Sequence, residues 1–227
     1  SNPANSSVGI AVFTPASNVP VSYTTVALGG TSNRLRGFDL SADGSTLYFS
    51  AAWNPVNAYV FDVASAALVF STPINASFDG HAISGDGSVF AYGSFNALRL
   101  FEKVAGVYTN TYTRFLPGSN FCGAIDISDD GSTLACGWTY DDNYLMTRIE
   151  AFDVATHGLT MTDVVSATGS LQNVVSEVSI SANGERFAVG LWGDGTGPVA
   201  EARLYSKRLD APLVTLDISE LDTSKEA

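Results

Sequence analysis

A four-residue signature recurs along the chain and constrains its folding more tightly than any other feature. It occurs as Ser41-Ala42-Asp43-Gly44, Ser84-Gly85-Asp86-Gly87, Ser128-Asp129-Asp130-Gly131 and Ser181-Ala182-Asn183-Gly184. The serines are 43, 44 and 53 residues apart. An alternating run precedes each copy (GFDLS, GHAIS, AIDIS, EVSIS), and a second apolar run follows it (TLYFSAAW, VFAYGSF, TLACGW, RFAVGLW). Asp-Gly or Asn-Gly between two such runs marks a tight β-hairpin, because glycine accepts the positive φ that the turn requires.

A second unit falls between these hairpins: AYVFDVASAALVF, LRLFEKVAGVYTN, IEAFDVATHGLTM and ARLYSKRLDAPLV. Each ends a strand on an aromatic, usually followed by an acid: Phe61-Asp62, Phe101-Glu102, Phe152-Asp153 and, as the weakest copy, Tyr205-Ser206. The N-terminal stretch IAVFTPASNVPVSYTTV, centred on Phe13, is a fifth copy. Two hairpins per repeat make four antiparallel strands per unit, so the expected fold is all-β, a β-propeller of four-stranded blades. The expected organisation is a tail over 1–7, a half blade over 8–29, blades over about 34–75, 78–116, 121–168 and 174–219, and a tail over 220–227.

The chain resembles the WD40-like and YVTN-type propeller repeats over roughly residues 8 to 219. The carriers are the S-x-[DN]-G turn after strand A and the [FY]-[DE] pair at the end of strand C, where that superfamily often has Trp-Asp. The resemblance implies that strand A of each blade lines a central channel. Two other propeller signatures are absent. The Asp and Gly of the turn are adjacent, unlike those of the sialidase-type Asp box, and there is no D-x-D-x-D-G calcium loop. Asp141-Asp142-Asn143 and Gly193-Asp194-Gly195 lack the several oxygen ligands that calcium needs and read as solvated loop charge.

Four blades and a half leave one hairpin missing. Propellers remove exposed sheet edges by closing, and the N-terminal half blade needs strands A and B. In the C-terminal stretch APLVTLDISELDTSKEA, LVTLDIS fits strand D of the last blade. Asp217-Ile218-Ser219 echoes Asp126-Ile127-Ser128, but nothing strand-like follows it. Either the chain is part of a larger propeller, with the remaining blades removed, on another chain or supplied by a second copy, or it closes as an irregular five-bladed ring with one two-stranded blade. The first is favoured.

Counting back from the turn serine, positions −1 (Leu40, Ile83, Ile127, Ile180) and −3 (Phe38, His81, Ile125, Val178) share one face and read as inter-blade core. The opposite face carries Asp39, Ala82, Asp126 and Ser179 at −2, with Gly37, Gly80, Ala124 and Glu177 at −4. Asp39, His81, Asp126 and Glu177 are therefore the channel candidates. As chemistry they offer acid–base groups or a cation site. As structure, His81 is a hydrogen-bonded core histidine and the aspartates tie turns together, and the structural role is preferred for each. The turn serines recur too regularly to be nucleophiles and read as turn formers.

His157 falls in a surface turn, where it is expected to be solvated. Two histidines so placed make no conventional zinc site with Cys122 and Cys136, and neither a metal nor a cofactor is expected. Those cysteines flank the third turn. A cross-strand disulfide is feasible if they stand opposite one another, and buried free thiols result if they are diagonal. The aromatics after strand B (Trp53, Phe95, Trp138, Tyr140, Trp192) suggest either a rim that binds a protein or glycan partner, or repeated inter-blade packing. The latter is preferred.

Lys plus Arg number 11 against 23 Asp plus Glu, a net charge of −12. So acidic a chain repels phosphate backbones, which argues against nucleic-acid binding. No apolar run reaches the length of a membrane span, and 45% hydrophobic residues allow a sizeable core. Scarce lysine, abundant small residues and the sequons Asn5-Ser6-Ser7 and Asn75-Ala76-Ser77 point to an extracellular or cell-surface setting. The leading expectation is a non-enzymatic scaffold or interaction module, completed by another chain or copy. The alternatives are a lactonase-like or quinoprotein-like enzyme with a channel site, and a subunit of a surface filament or coat.

Overall fold

Local turn chemistry starts every blade. Ser41 Oγ accepts the Thr46 N–H at 2.9 Å and donates to Asp43 Oδ1 at 2.6 Å. Ser84, Ser128 and Ser181 repeat both bonds, with Val89 and Asp86, Thr133 and Asp130, and Arg186 and Asn183. The turn glycines Gly44, Gly87, Gly131 and Gly184 sit at φ of 71°, 69°, 69° and 66°, a left-handed conformation that glycine adopts without strain. Hydrogen bonds from Ser41 and Ser45 hold the Asp43 carboxyl below its ordinary range.

The second hairpin type is capped by its acid. Asp62 Oδ1 accepts from the Ser65 N–H and Oγ, and Asp153 Oδ1 accepts in the same way from Thr156. These turns finish on Ala66 (φ 53°) and His157 (φ 56°), both left-handed without being glycine. Replacing Ala66 by glycine is expected to stabilise the chain by about 0.5–1 kcal/mol by relieving that strain. A raised midpoint in urea denaturation would confirm this, and a lowered one would refute it.

The structure, a computed structural model, describes residues 7–28, 32–54, 57–74, 80–140, 144–166, 173–192 and 202–216. It contains a two-stranded unit, β1 (Ser7–Val12) and β2 (Ser22–Ala27), followed by four antiparallel four-stranded blades. The first is β3 (Ser32–Leu40), β4 (Thr46–Asn54), β5 (Asn57–Asp62) and β6 (Ala67–Pro73). The second is β7 (His81–Ile83), β8 (Val89–Gly93), β9 (Ala97–Val104) and β10 (Val107–Phe115). The third is β11 (Ser119–Ile127), β12 (Thr133–Tyr140), β13 (Met146–Asp153) and β14 (Gly158–Ser166). The fourth is β15 (Val175–Ile180), β16 (Arg186–Leu191), β17 (Ala202–Ser206) and β18 (Val214–Leu216). Strands follow chain order within each blade, and the described residues contain no helix.

The core lies between blades, in four clusters that each join consecutive units. Val26 and Leu28 of the two-stranded unit meet Phe49 and Phe61. Tyr48 and Val60 meet Ile83 and Phe90, while Val89 and Leu98 meet Ile127 and Trp138. Ile149 and Met161 meet Phe187 and Tyr205. The turns are linked as well: Asp43 N–H donates to the Gly85 carbonyl, Gly85 N–H to Asp129 and Asp130 N–H to Ala182, at 3.0–3.3 Å. Small residues at position −4 let adjacent strands approach. A Cβ at Gly80 would lie 2.8 Å from the Cys122 carbonyl oxygen.

Expected core positions fail in one blade. Ile83, Ile127 and Val178 are buried as expected, but Phe38 is 75% and Leu40 53% exposed. Positions −1 and −3 pack against strands A and B of the preceding blade, and β1–β2 corresponds only to strands C and D.

Candidate functional site

Strands β3, β7, β11 and β15 converge on a central cleft of about 420 Å³. Its walls include all four channel candidates, Asp39, His81, Asp126 and Glu177, together with Phe38 and Ser176. Each of these strands is the inner edge of its sheet, and an edge strand carries backbone groups that no ladder satisfies. Two carboxylates satisfy four such groups. Asp39 accepts from the Leu40 N–H (Oδ1, 2.9 Å) and from Ile83 of the next blade (Oδ2, 3.0 Å). Asp126 accepts from the Ile127 N–H (Oδ1, 2.8 Å) and from Ile180 of the next blade (Oδ2, 2.7 Å). Because each aspartate serves two blades, position −2 of the second and fourth blades holds Ala82 and Ser179 instead.

Burial pushes the Asp126 carboxyl up to about 6, and the Asp39 and Glu177 carboxylates add to the effect; the two N–H donors oppose it. The His81 ring stacks on Tyr48 at 5.4 Å and lies over Gly37, where a Cβ would come within 2.1 Å of the imidazole. Glu177 faces the open channel. Among the described residues, no three His, Cys, Asp or Glu side chains gather closely enough to hold a metal ion.

The aromatics after strand B do not form one rim. Trp138 is fully buried, because it shares a face of β12 with Leu134 and Cys136 and packs between the second and third blades. Phe95 and Trp192 are exposed, Phe95 in the β8–β9 loop and Trp192 just past β16. Trp53 and Tyr140 close the ends of their strands opposite Asn33 and Ser119, and their side chains are outside the described set. Asn5, Asn75, Asp141-Asp142-Asn143, Gly193-Asp194-Gly195 and Asp217-Ile218-Ser219 also lie outside the described residues.

Cys122 pairs with Trp138, and Cys136 pairs with Ile125, because the register shifts between Cys122 and Ala124. Both cysteines are buried free thiols, and burial pushes the Cys136 thiol up. His157 is part-buried, not solvated. It stacks on Tyr112 at 5.0 Å and lies 3.3 Å from Glu102 of the second blade.

Sequence reasoning missed the buried polar clamps between blades. Glu150, fully buried on β13, accepts from Arg114 of the second blade (2.9 Å), from Arg148 (2.8 Å) and from Trp138 Nε1 (3.1 Å). Asp163 Oδ2 on β14 accepts from Arg203 (3.1 Å) and the Tyr205 hydroxyl (2.9 Å) of the fourth blade. A polar residue breaking the alternation of apolar strands, such as Glu150 in RIEAFD, was the available signal.

No protein-family profile matches the chain, and no curated protein does. Solved structures do. The β-propeller domain of Myceliophteria thermophila Cps50 (Swd1) superposes with a TM-score of 0.59 at 14% identity, covering 94% of this chain and 61% of that one. Kuenenia stuttgartiensis hydrazine synthase superposes with a TM-score of 0.58 at 14% identity, covering 81% of this chain and 49% of that one. The chain thus spans about half to three fifths of the length of these structures. An enzyme and a chain described only as a propeller domain match equally well, so architecture alone does not select an activity. With its four-stranded blades, S-x-[DN]-G turns and converging inner strands, the chain has the β-propeller fold.

Proposed function

We propose that the chain is a non-enzymatic scaffold and interaction module, working outside the cell or at its surface, that engages partner proteins through its blades. One observation carries this proposal: Asp39 and Asp126, the best-placed acid–base pair in the channel, have both oxygens of each carboxylate committed to strand-edge N–H groups. Groups held in this way are fasteners between blades. The His81 ring is likewise occupied in stacking. The two sequons and the low charge content support the extracellular setting.

The test is thermodynamic. Asp39→Ala with Asp126→Ala removes the acceptors of four N–H groups, and channel water replaces them only in part. The expected loss is about 2–4 kcal/mol in chemical denaturation. A catalytic pair would instead leave stability near wild type, so an unchanged midpoint would sink the fastener role.

Asp126 also makes a signed pH prediction. Its folded-state value of about 6 lies above the ordinary 3.8, so the folded chain holds that proton more tightly than the unfolded chain. The stabilisation from this proton is fully present below about pH 4 and is lost as pH rises through 6. The melting temperature of the wild type relative to Asp126→Asn should therefore rise as pH falls from 7 to 4. A flat difference would refute the assignment.

A further inference from the structure

The four serine turns share one hydrogen-bond pattern and differ in one chemical group. In each, the glycine N–H donates to the serine carbonyl at 2.8–2.9 Å. The residue before the glycine is Asp43, Asp86 and Asp130 in the first three turns and Asn183 in the fourth. The serine hydroxyl donates to the aspartates at 2.6, 2.8 and 2.6 Å but to Asn183 at 2.9 Å. The next N–H reaches the same oxygen at 2.9 Å from Ser45, Ser88 and Ser132, and at 3.3 Å from Glu185. Hydrogen bonds to a charged acceptor are the shorter and stronger ones, so the position suits a carboxylate and the fourth turn holds its amide more loosely.

We propose that Asn183-Gly184, the one Asn-Gly pair in the sequence, is a site of spontaneous deamidation whose rate is set by Ser181. The Gly184 backbone nitrogen attacks the side-chain carbonyl carbon of Asn183 and loses its proton, and the side-chain nitrogen leaves as ammonia. Water then opens the resulting five-membered imide. Addition at the side-chain carbonyl leaves an aspartate on the normal backbone. Addition at the main-chain carbonyl leaves an isoaspartate, whose backbone runs through Cβ and is one atom longer. Glycine has no side chain to shield the attacking nitrogen, and Asn183 is exposed, so water enters and ammonia departs. At neutral pH the three Asp-Gly turns carry ionised carboxylates, which a nucleophile does not attack.

Ser181 closes this turn from three sides. Its carbonyl holds the Gly184 N–H at 2.8 Å, and its hydroxyl donates to Asn183 Oδ1 and accepts the Arg186 N–H at 3.1 Å. Nucleophile and electrophile are thus tied to separate partners, and reaction requires the turn to open. The two products then differ in fit. An aspartate reproduces the three sister turns. An isoaspartate has no room for its added atom, because a Cβ on Gly184 would already lie 2.4 Å from Thr133 Oγ1 of the third blade. The neighbouring rung, from the Asp130 N–H to the Ala182 carbonyl at 3.1 Å, joins the third blade to the fourth and is displaced with it.

Incubating the full chain at mildly alkaline pH tests the proposal, with peptide mapping by mass spectrometry as the readout. The amide-to-acid mass increase should accumulate at position 183, more slowly than in the same chain unfolded in guanidinium chloride. Ser181→Ala should speed the folded chain's conversion about tenfold, the effect of losing the hydroxyl's two hydrogen bonds, and leave the unfolded chain's rate unchanged. The wild type offers a second measurement that does not depend on how the variant folds. Its slowing relative to the unfolded chain should match the protection of the Gly184 amide proton against hydrogen exchange, because both need the same opening. Asn183→Asp should keep the denaturation midpoint at or above wild type. No acid at 183 after the unfolded chain has fully converted would overturn the site. Equal rates in the wild type and a folded Ser181→Ala, or a disagreement with amide exchange beyond about tenfold, would overturn the role of Ser181. A lowered midpoint for Asn183→Asp would overturn the claim that the turn accepts the acid.

Discussion

Replacing Glu150 by alanine is expected to destabilise the chain by about 3–5 kcal/mol, the usual consequence of removing one partner from a buried charge cluster. The carboxylate is fully buried, and it is bonded to two guanidinium groups and an indole N–H. Arg114 reaches it from the second blade, so the loss also loosens the second blade from the third. Glu150→Gln keeps the shape but not the charge and should fall between wild type and alanine. Trp138→Phe removes one donor and three atoms of a fully buried ring system, and should cost about 2–4 kcal/mol. Because Trp138 and Glu150 bond directly, the two losses should not add, and a double-mutant cycle in urea should show coupling of at least about 0.5 kcal/mol. A Glu150→Ala cost below about 1 kcal/mol would mean that water enters and replaces the carboxylate.

Phe90→Ala should be of similar size by a different mechanism. Phe90 is fully buried between the first two blades and stacks on Phe101 at 4.7 Å and 4°. Tyr48, Phe70 and Tyr108 surround it with ring centroids at 5.3–5.8 Å. Alanine leaves a cavity walled by rigid rings that cannot collapse inwards, so the expected cost is about 3–5 kcal/mol. Phe90→Leu refills part of the space and should cost clearly less. Equal losses for the two substitutions would show that aromatic stacking, not volume, holds this interface.

What could be read from the sequence was what is local. The serine turns and the alternation of each strand act within a few residues, so spacing and residue type reveal them. The choice between fastener and catalyst for Asp39 and Asp126 depended on which N–H groups the next blade brings near, some 44 and 54 residues away. Glu150 was missed for the same reason, since Arg114 arrives from 36 residues upstream. Trp138 fits the preferred reading of inter-blade packing, and the alternation Leu134, Cys136, Trp138 already put it on the inward face. Phe38 and Leu40 were assigned to the correct face, but periodicity identifies a face without saying whether a neighbour covers it.

The arrangement of the clusters also governs how the chain comes apart. Each blade is fastened to its sequence neighbours through one apolar cluster, most of them backed by a turn-to-turn bond or a polar clamp. Stability then accumulates as a sum over adjacent pairs, as in a linear array of repeats, and not as the property of one shared centre. A break in any one cluster is then felt by the two units it joins and leaves the more distant blades in place, so native-state hydrogen exchange should resolve the blades as separate cooperative units.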